Sequence, residues 1–386
     1  MPHLTASARS RRPWQTPRMS DITTADVRAE LDAWLEENWD PDLTVVEWWK
    51  RLYEARWSSP AMPVEAGGRG YGRNLASEVT TGMAEANVVG PPTGLGLMLA
   101  APTIAVHGTP EQVDRYVPEI LDGTVAWCQL FSEPGAGSDL AGLQAKAVRD
   151  GDEWIITGQK VWTSGGHMAQ KGMLIARTDP EAPKHQGITY FAIDMDQPGI
   201  EVRPLREMTG QALFNEVFLD EARVPHDAVI GGLGVGWAVA NTTLTVERAS
   251  LGGGGKHPVS VPPGPTAGRL EKRVGDFIER ANRGPDGEGG RGMGTEAMID
   301  LARAAGNADD LIVRQEIVKL HILGEVNRLN MLRAKSGGSR TGAEGNLAKL
   351  SMSEMVRRSR DVGNLIIGAD GMLAASESAT GGVVQE

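Results

Sequence analysis

The sequence predicts a mainly helical protein in which a small β domain, a barrel or sandwich, separates an N-terminal helical domain from a C-terminal antiparallel helix bundle. Two changes in the spacing of apolar residues support this fold class. Apolar residues recur at helical intervals up to about residue 122, alternate in short runs between 124 and 232, and resume helical spacing beyond 236. A chain of 386 residues is long enough for two or three such domains.

The predicted domains span residues 21–122, 123–232 and 233–386. Residues 1–20 precede them as a disordered or upstream extension, because the first eighteen residues contain four arginines and no acidic residue. Met19 is then the expected natural start. An organelle transit peptide is the alternative for this segment.

The first domain is predicted to contain amphipathic helices. Val27, Leu31 and Leu35 recur at helical spacing, and a second group around Trp48 and Trp49 does the same. An aromatic stripe of this kind is usually core, so we do not interpret it as a ligand site. A Gly-, Ala-, Leu- and Met-rich run at 93–106 predicts a buried helix.

Strand signals dominate the middle of the chain. Asp150 and Gly151 stand between two apolar runs and predict a β-hairpin. Beyond residue 236, apolar residues at helical spacing, including Leu270 and Val274, predict the helices of the C-terminal bundle. Residues 255–268 contain four prolines and three glycines and cannot be helical, and residues 284–294 indicate a flexible loop.

Composition excludes several function classes. A net charge of −11 argues against a nucleic-acid or anionic-membrane partner. No apolar run is long enough to span a membrane, so we expect a soluble, cytoplasmic protein. The single cysteine, Cys128, permits no internal disulfide and is expected to be a small buried hydrophobe rather than a nucleophile. The seven histidines lack metal-ligand spacing, so no metal is predicted.

A glycine-containing loop is the first candidate site. Gly135, Gly137 and Ser138 follow Pro134, so the backbone can approach an anion closely and offer amide and hydroxyl donors. Taken alone, this pattern favours an ordinary tight turn. Likewise Trp162 taken alone favours a buried core residue over a cofactor contact.

Two segments together change that balance. WCQLFSEPGAGSDLAG at 127–142 and GQKVWTSGG at 158–166, with their spacing, resemble the flavin-binding middle domain of the acyl-CoA dehydrogenases. PVEAGGRGYG at 63–72, HGTPEQVDRYVPEILDG at 107–123 and NEVFLDEARVP at 215–225 resemble further landmarks of that family, in family order. The resemblance covers about residues 21–373.

The resemblance implies FAD as cofactor. It assigns the flavin contacts to two groups of residues, and it assigns Ser138 a second contact, with coenzyme A. The flavin-lining residues it implies are Gln129, Leu130, Phe131, Ser132, Gly137 and Ser138 in the loop, and Trp162, Thr163 and Ser164 at the strand end.

The resemblance also implies a reaction, in which a glutamate removes the α proton of an acyl-CoA thioester while the β hydrogen leaves as hydride to flavin N5. Most members carry this base in a C-terminal Tyr/Glu-Gly-Gly-Thr segment, which this chain lacks. Isovaleryl-type and long-chain-type members carry a Glu-Arg pair on the first bundle helix, and Glu247 and Arg248 match it. Leu244 is the expected apolar substrate contact, and the resemblance implies that Arg248 also lies near the substrate and helps to position it.

Each carboxylate has an alternative interpretation. Glu247 on an arbitrary helix would more often belong to a solvated surface pair with Arg248, and the matching position favours the catalytic role. Glu133, inside the flavin loop, is the rival carboxylate and is expected to be structural.

The leading hypothesis is therefore an FAD-dependent acyl-CoA dehydrogenase that passes electrons to an electron-transfer flavoprotein and assembles as a homotetramer or heterotetramer. One alternative is a non-catalytic or half-competent subunit of a hetero-oligomer. The other is a flavin monooxygenase or nitroalkane oxidase on the same fold, which the Glu-Arg pair at 247 and 248 disfavours. The acyl chain class is not predicted.

Overall fold

The computed structural model describes residues 22–208, 210–250, 256–282, 294–335, 344–373 and 377. The predicted extension at 1–20 lies outside them. So does the predicted flexible loop at 284–294, apart from Gly294. No helix in these ranges is both long enough and apolar enough to cross a membrane.

The N-terminal part is helical, as predicted. Its helices are α1 (Thr24–Asn38), α2 (Val45–Glu54), α3 (Arg73–Glu85), α4 (Ala101–His107) and α5 (Pro110–Leu121). Thr23 and Thr44 begin α1 and α2 with reciprocal capping boxes, which satisfy backbone amides at both helix starts. The apolar spacing corresponds to buried faces, since Val27, Trp48 and Trp49 are fully buried in one core. A short π-helix, Gly96–Ala100, leads directly into α4.

The middle of the chain forms one eight-stranded sheet. Its strands are β1 (Trp127–Leu130), β2 (Lys146–Asp150), β3 (Glu153–Ser164), β4 (Lys171–Arg177), β5 (Ile188–Asp194), β6 (Ile200–Leu205), β7 (Phe214–Pro225) and β8 (Val229–Ile230). The strand order is β6-β7-β3-β2-β4-β5-β8, and β1 pairs with β4 in parallel. The predicted hairpin joins β2 and β3, with Gly151 at a positive φ of 58°.

Five α-helices follow the sheet in the part of the chain that the structure describes. They are α6 (Gly236–Ser250), α7 (Val274–Asn282), α8 (Thr295–Ala304), α9 (Leu311–Lys335) and α10 (Glu344–Ile367). The last three share a small core of their own, around Leu301, Leu320 and Val362. This three-helix unit is the bundle of the described C-terminal region.

The segment around α7 packs differently from the expectation. Leu270 and Val274 were expected in the bundle, but they lie in the N-terminal core with Trp48 and Trp49. The proline-containing segment before them contains no α-helix in its described residues, but it ends in a short 3-10 helix, Thr266–Gly268, which its composition did not predict. In its earlier part, the Val259 carbonyl accepts a 2.9 Å hydrogen bond from the Gly90 amide. This path carries the chain away from the bundle.

Helix α6 joins the helical and sheet parts. Its Val239 and Ala240 are fully buried in the core that α4, α5 and the sheet share. Buried Thr243 contacts Thr103 of α4, with 2.9 Å between the two hydroxyl oxygens. At the helix start, a Cβ on Gly236 would lie 2.5 Å from the backbone carbonyl carbon of Thr189, so only glycine permits this approach to β5.

We expect Gly236→Ala to destabilise the fold by about 1–3 kcal/mol, because the methyl group meets backbone that cannot yield. Gly324→Ala in α9 is the matched control. Its Cβ would meet nothing closer than Met355 at 3.8 Å. Because alanine favours the helix over glycine, this variant should have a free energy of unfolding about 0.5–1 kcal/mol higher than the wild type. Denaturant unfolding of both variants tests this, and equal effects would contradict the close approach of α6 to β5.

Candidate active site

The glycine-containing loop leaves β1 and forms an exposed turn. The amides of Glu133 and Ala136 each donate 3.0 Å hydrogen bonds to the other residue's carbonyl, which closes the turn around Pro134. A Cβ on Gly135 or Gly137 would meet nothing within 4 Å. The turn therefore presents open backbone to solvent, as a loop that receives a ligand does.

Inside the loop, Glu133 is 7% exposed and its carboxylate is fully engaged. It accepts hydrogen bonds from the amides of Gln144, at 2.6 Å, and Ala145, at 3.0 Å. Lys160 of β3 lies 2.8 Å from its Oε1 atom. These contacts tie both ends of the loop together, so the geometry supports the structural role expected for Glu133.

The end of β3 is irregular. The pairing of β3 with β7 shifts register between Lys160 and Thr163, and Trp162 within this bulge has a φ of 61°. A bulky residue in the left-handed region is strained, and such strain clusters at functional sites. The bulge turns the Trp162 side chain outward, where it is 61% exposed. Its ring lies edge-on to the Phe214 ring, with 5.9 Å between the ring centroids. Trp162 is therefore not the core residue that the alternative interpretation required.

Thr163 points the other way and is fully buried. Its carbonyl accepts a 2.9 Å hydrogen bond from the Asn215 side chain, but its Oγ1 atom has no hydrogen-bond partner. A buried hydroxyl without a partner is costly, so this atom is a candidate contact for a bound group. Ser164, one residue further, is exposed.

The structure brings the loop and the strand end into direct contact. The Val161 amide donates a 2.9 Å hydrogen bond to the Ser132 carbonyl, just before Trp162. Leu130 and Phe131 are buried in the core, so any contact of theirs with a cofactor would be through backbone atoms. Of the other loop residues predicted to line the flavin, Gln129 and Ser132 are half-buried, and Gly137 and Ser138 are exposed.

Glu247 and Arg248 approach from a different element. They lie near the end of α6, which packs against β5, α4, α10 and the π-helix. Glu247 is half-buried, and its carboxylate lies 4.0 Å from the Lys349 ammonium of α10. Arg248 donates a 3.2 Å hydrogen bond to the Thr245 hydroxyl, and Leu244 packs against the shared core.

Sequence reasoning missed Lys349. It is separated from Glu247 by about a hundred residues, and no local pattern marks it as a site residue. It also missed the significance of Lys160, although this lysine stands within the GQKVWTSGG segment and at a fully buried position of β3. A charged residue at an inward position of a strand is the signal that would have identified it.

Two other expectations concern cysteine and metal. Cys128 is fully buried, and desolvation raises the pKa of its thiol to about 12, so it is an inert hydrophobe as predicted. Among the described residues, no group of three or more His, Cys, Asp or Glu side chains is arranged to hold a metal ion.

Two family domains match the sequence. The N-terminal domain of acyl-CoA dehydrogenases matches residues 18–124, and the middle domain matches residues 128–221. A curated acyl-CoA dehydrogenase of Mycobacterium tuberculosis, IpdE1, is 32% identical over 372 residues, which cover 92% of this chain and 88% of the relative. The chain belongs to the acyl-CoA dehydrogenase family. Its curated relatives are named acyl-CoA dehydrogenases, so this chain is an oxidoreductase of that class.

Other relatives agree over different lengths. Acyl-CoA dehydrogenase FadE34 of Mycobacterium tuberculosis is 61% identical over 155 residues, which are 40% of this chain but only 22% of that relative's length. A solved structure named Tcur3481-Tcur3483 steroid ACAD has a TM-score of 0.67 at 27% identity and covers 94% of this chain and 89% of its own. The match to the ChsE4-ChsE5 complex of Mycobacterium tuberculosis covers 97% of this chain and 91% of that chain, at 23% identity and a TM-score of 0.65. This match shows the fold.

The residues at the loop and the bulge fit the FAD that family membership implies. Thr163 offers an unpartnered hydroxyl, Gly137 offers open backbone, and Trp162 offers an exposed aromatic face. Hydrogen-bond donors and a flat ring are what an isoalloxazine requires.

We expect Thr163→Val to separate cofactor binding from stability. Removing the orphaned hydroxyl should leave the FAD-free protein as stable as before or more stable by about 1 kcal/mol, and should weaken FAD binding roughly tenfold. Thermal unfolding and flavin fluorescence titration measure the two effects. Thr163→Ser, which keeps the hydroxyl, should retain affinity; weakened binding in this control as well would contradict the hydroxyl contact.

Proposed function

We propose that this protein catalyses the FAD-dependent α,β-dehydrogenation of an acyl-CoA thioester. The observation that carries the proposal is the bulge of β3, which turns Trp162 outward and buries the unpartnered Thr163 hydroxyl beside an open glycine loop. FAD, when bound, would supply the hydride acceptor, with electrons leaving to an electron-transfer flavoprotein. We place the reaction in the cytoplasm, in keeping with a single buried cysteine.

Within this proposal, the loop and bulge residues hold the cofactor. Ser132, Gly137 and Ser138 contribute from the loop, with Gln129 beneath them and the backbone of Leu130 and Phe131. From β3, the contributing residues are Trp162, Thr163 and Ser164. Ser138 is exposed at the end of the turn and also receives coenzyme A.

Glu247 is the proposed base that takes the α proton. Its carboxylate lies on the half-buried side of α6, close to Leu244, which packs against the core and offers an apolar wall to the acyl chain. Arg248, the neighbouring residue, donates a 3.2 Å hydrogen bond to the Thr245 hydroxyl. Lys349 approaches it only at 4.0 Å, the limit of an ion-pair contact.

The proposal for the substrate class is supported by the name of a solved relative and not by the chain alone. The Tcur3481-Tcur3483 protein is named a steroid ACAD and covers nearly the whole chain at 27% identity. We therefore propose a large, steroid-linked or comparable acyl thioester. A panel of short, long, branched and steroid-linked thioesters distinguishes the classes by which of them bleaches the oxidised flavin.

We expect Glu247→Gln to lose turnover by a factor of roughly 10²–10⁴ while it retains FAD, because general-base catalysis contributes about that much. Anaerobic reduction of bound flavin by acyl-CoA measures the loss. Glu354→Gln is the matched control, since Glu354 lies on α10 in an exposed pair with Arg357. Normal flavin reduction by the Glu247 variant would show that another residue is the base. A wild-type protein that binds FAD but is reduced by none of the thioesters would favour the subunit or monooxygenase alternatives.

An exposed apolar stripe on α9 supports assembly with a second copy of the chain. Val318, Ile322, Val326, Leu329 and Leu332 follow one another at three- and four-residue steps, and each is 48–55% exposed. We call these five residues the α9 stripe. Contiguous exposed apolar surface of this kind usually marks an interface.

The α9 stripe is self-complementary. An antiparallel copy about a twofold axis near Val326 places Val318 opposite Leu332 and Ile322 opposite Leu329, as an isologous interface requires. The flanking charges do not oppose this pairing, because Glu316 pairs with Lys319 at 2.6 Å and Glu325 with Arg328 at 2.7 Å within the same helix. We therefore propose a homo-oligomer, a tetramer built from such dimers.

We expect the double variant Ile322→Glu/Leu329→Glu to reduce the mass of the particle by half or more, because the twofold pairing brings the new carboxylates together. Light scattering after size exclusion measures this. Val148→Glu, at an equally exposed apolar residue of β2, is the control and should not change the mass. A monomeric wild-type protein would overturn self-association and would leave a homologous subunit as the occupant.

A further inference from the structure

The Lys160–Glu133 ion pair is unusual in its burial. Both side chains are less than a tenth exposed, and among the ion pairs of the described residues no other has both partners so buried. Desolvation lowers the pKa of Lys160, and attraction to Glu133 opposes that effect. Since a buried pair must overcome the desolvation of two charges, it is weak evidence for stability and calls for another explanation.

Among the described residues, both hydrogen-bond partners of the Lys160 ammonium belong to the glycine-containing loop. It donates hydrogen bonds to the Glu133 carboxylate, at 2.8 Å, and to the Phe131 carbonyl, at 3.1 Å. Glu133 in turn accepts from the amides of Gln144 and Ala145, where the loop returns to the sheet. Lys160 therefore holds the loop at its beginning and, through Glu133, at its end.

Lys160 is also the last regularly paired residue of β3 before the bulge. It pairs with Val217, and regular pairing resumes only at Thr163. The residue between Lys160 and Trp162 bonds to the loop as well, through the Val161 amide and the Ser132 carbonyl. The loop is thus fixed to β3 at the point where the strand reverses the directions of Trp162 and Thr163.

We propose that the Lys160–Glu133 ion pair is a positioning element for the cofactor, which sets the separation between the loop backbone and the Thr163 hydroxyl. The proposal rests on the proposed FAD-dependent function. Neither side chain touches the cofactor in this role. Both are buried beneath the surface that the loop and the bulge present.

The test replaces both charges at once, because removing one alone would leave the other buried without a partner. Lys160→Met/Glu133→Gln keeps the approximate volumes without the ion pair. Glu133→Asp is the second variant, which keeps the charges but shortens the acidic side chain. Glu153→Gln is the matched control, since Glu153 begins the same strand and forms an exposed pair with Arg223 at 2.9 Å.

Circular dichroism establishes that each variant is folded, and flavin fluorescence titration gives its FAD dissociation constant. We expect the double variant and Glu133→Asp to bind FAD at least about tenfold more weakly than the wild type, and Glu153→Gln to bind it unchanged. A purely structural pair predicts wild-type affinity in any variant that folds, and that result would overturn the proposal.

A double-mutant cycle with Thr163→Val tests the positioning directly. If the pair acts by placing the Thr163 hydroxyl, the two changes together should weaken FAD binding by clearly less than the product of their separate effects. A combined effect equal to that product would overturn the proposal while leaving the cofactor assignment intact. A wild-type protein that binds no FAD would instead refute the cofactor itself.

Discussion

The bulge in β3 is the constraint on which the candidate site depends. A regular strand alternates its side chains, so it would keep Trp162 and Thr163 in the pattern set by the core. The register shift against β7 and the left-handed conformation of Trp162 break that alternation. As a result, an aromatic face reaches the surface next to a buried hydroxyl, and the neighbouring loop is bonded to the same stretch of strand through Val161.

The proposed base lies on a different element, helix α6, which is positioned by a different kind of contact. Helix α6 begins against the backbone of β5, which the absence of a side chain at Gly236 permits. It is then held against α4 by the buried Thr103–Thr243 contact and by a 2.8 Å contact between the His107 ring and the Thr242 hydroxyl. These polar contacts fix the rotation of α6 more closely than apolar packing alone, and the rotation decides where Glu247 points.

Much of this arrangement was predictable from the sequence, for identifiable reasons. Apolar periodicity located the helices and strands, and the residues around Gly137 and Trp162 were close enough in sequence to be recognised together. The path of Leu270 and Val274 was not predictable, since their spacing specifies a buried helix face but not which core receives it. Lys349 was missed for the same reason, because its contact with Glu247 depends on how two distant helices pack.

The described segment between α6 and α7 is attached to the N-terminal helical core, whereas α6 packs on the sheet. Val261 is fully buried in the N-terminal core, and the Val259 amide and carbonyl bond to Val88 and Gly90. The helix that carries Glu247 is therefore followed by a strap fixed to the N-terminal helices, while α6 itself is packed on the sheet. A movement of α6 relative to the sheet would disturb the core that it shares with α4, α5 and the sheet, so this packing constrains the position of the helix that carries Glu247.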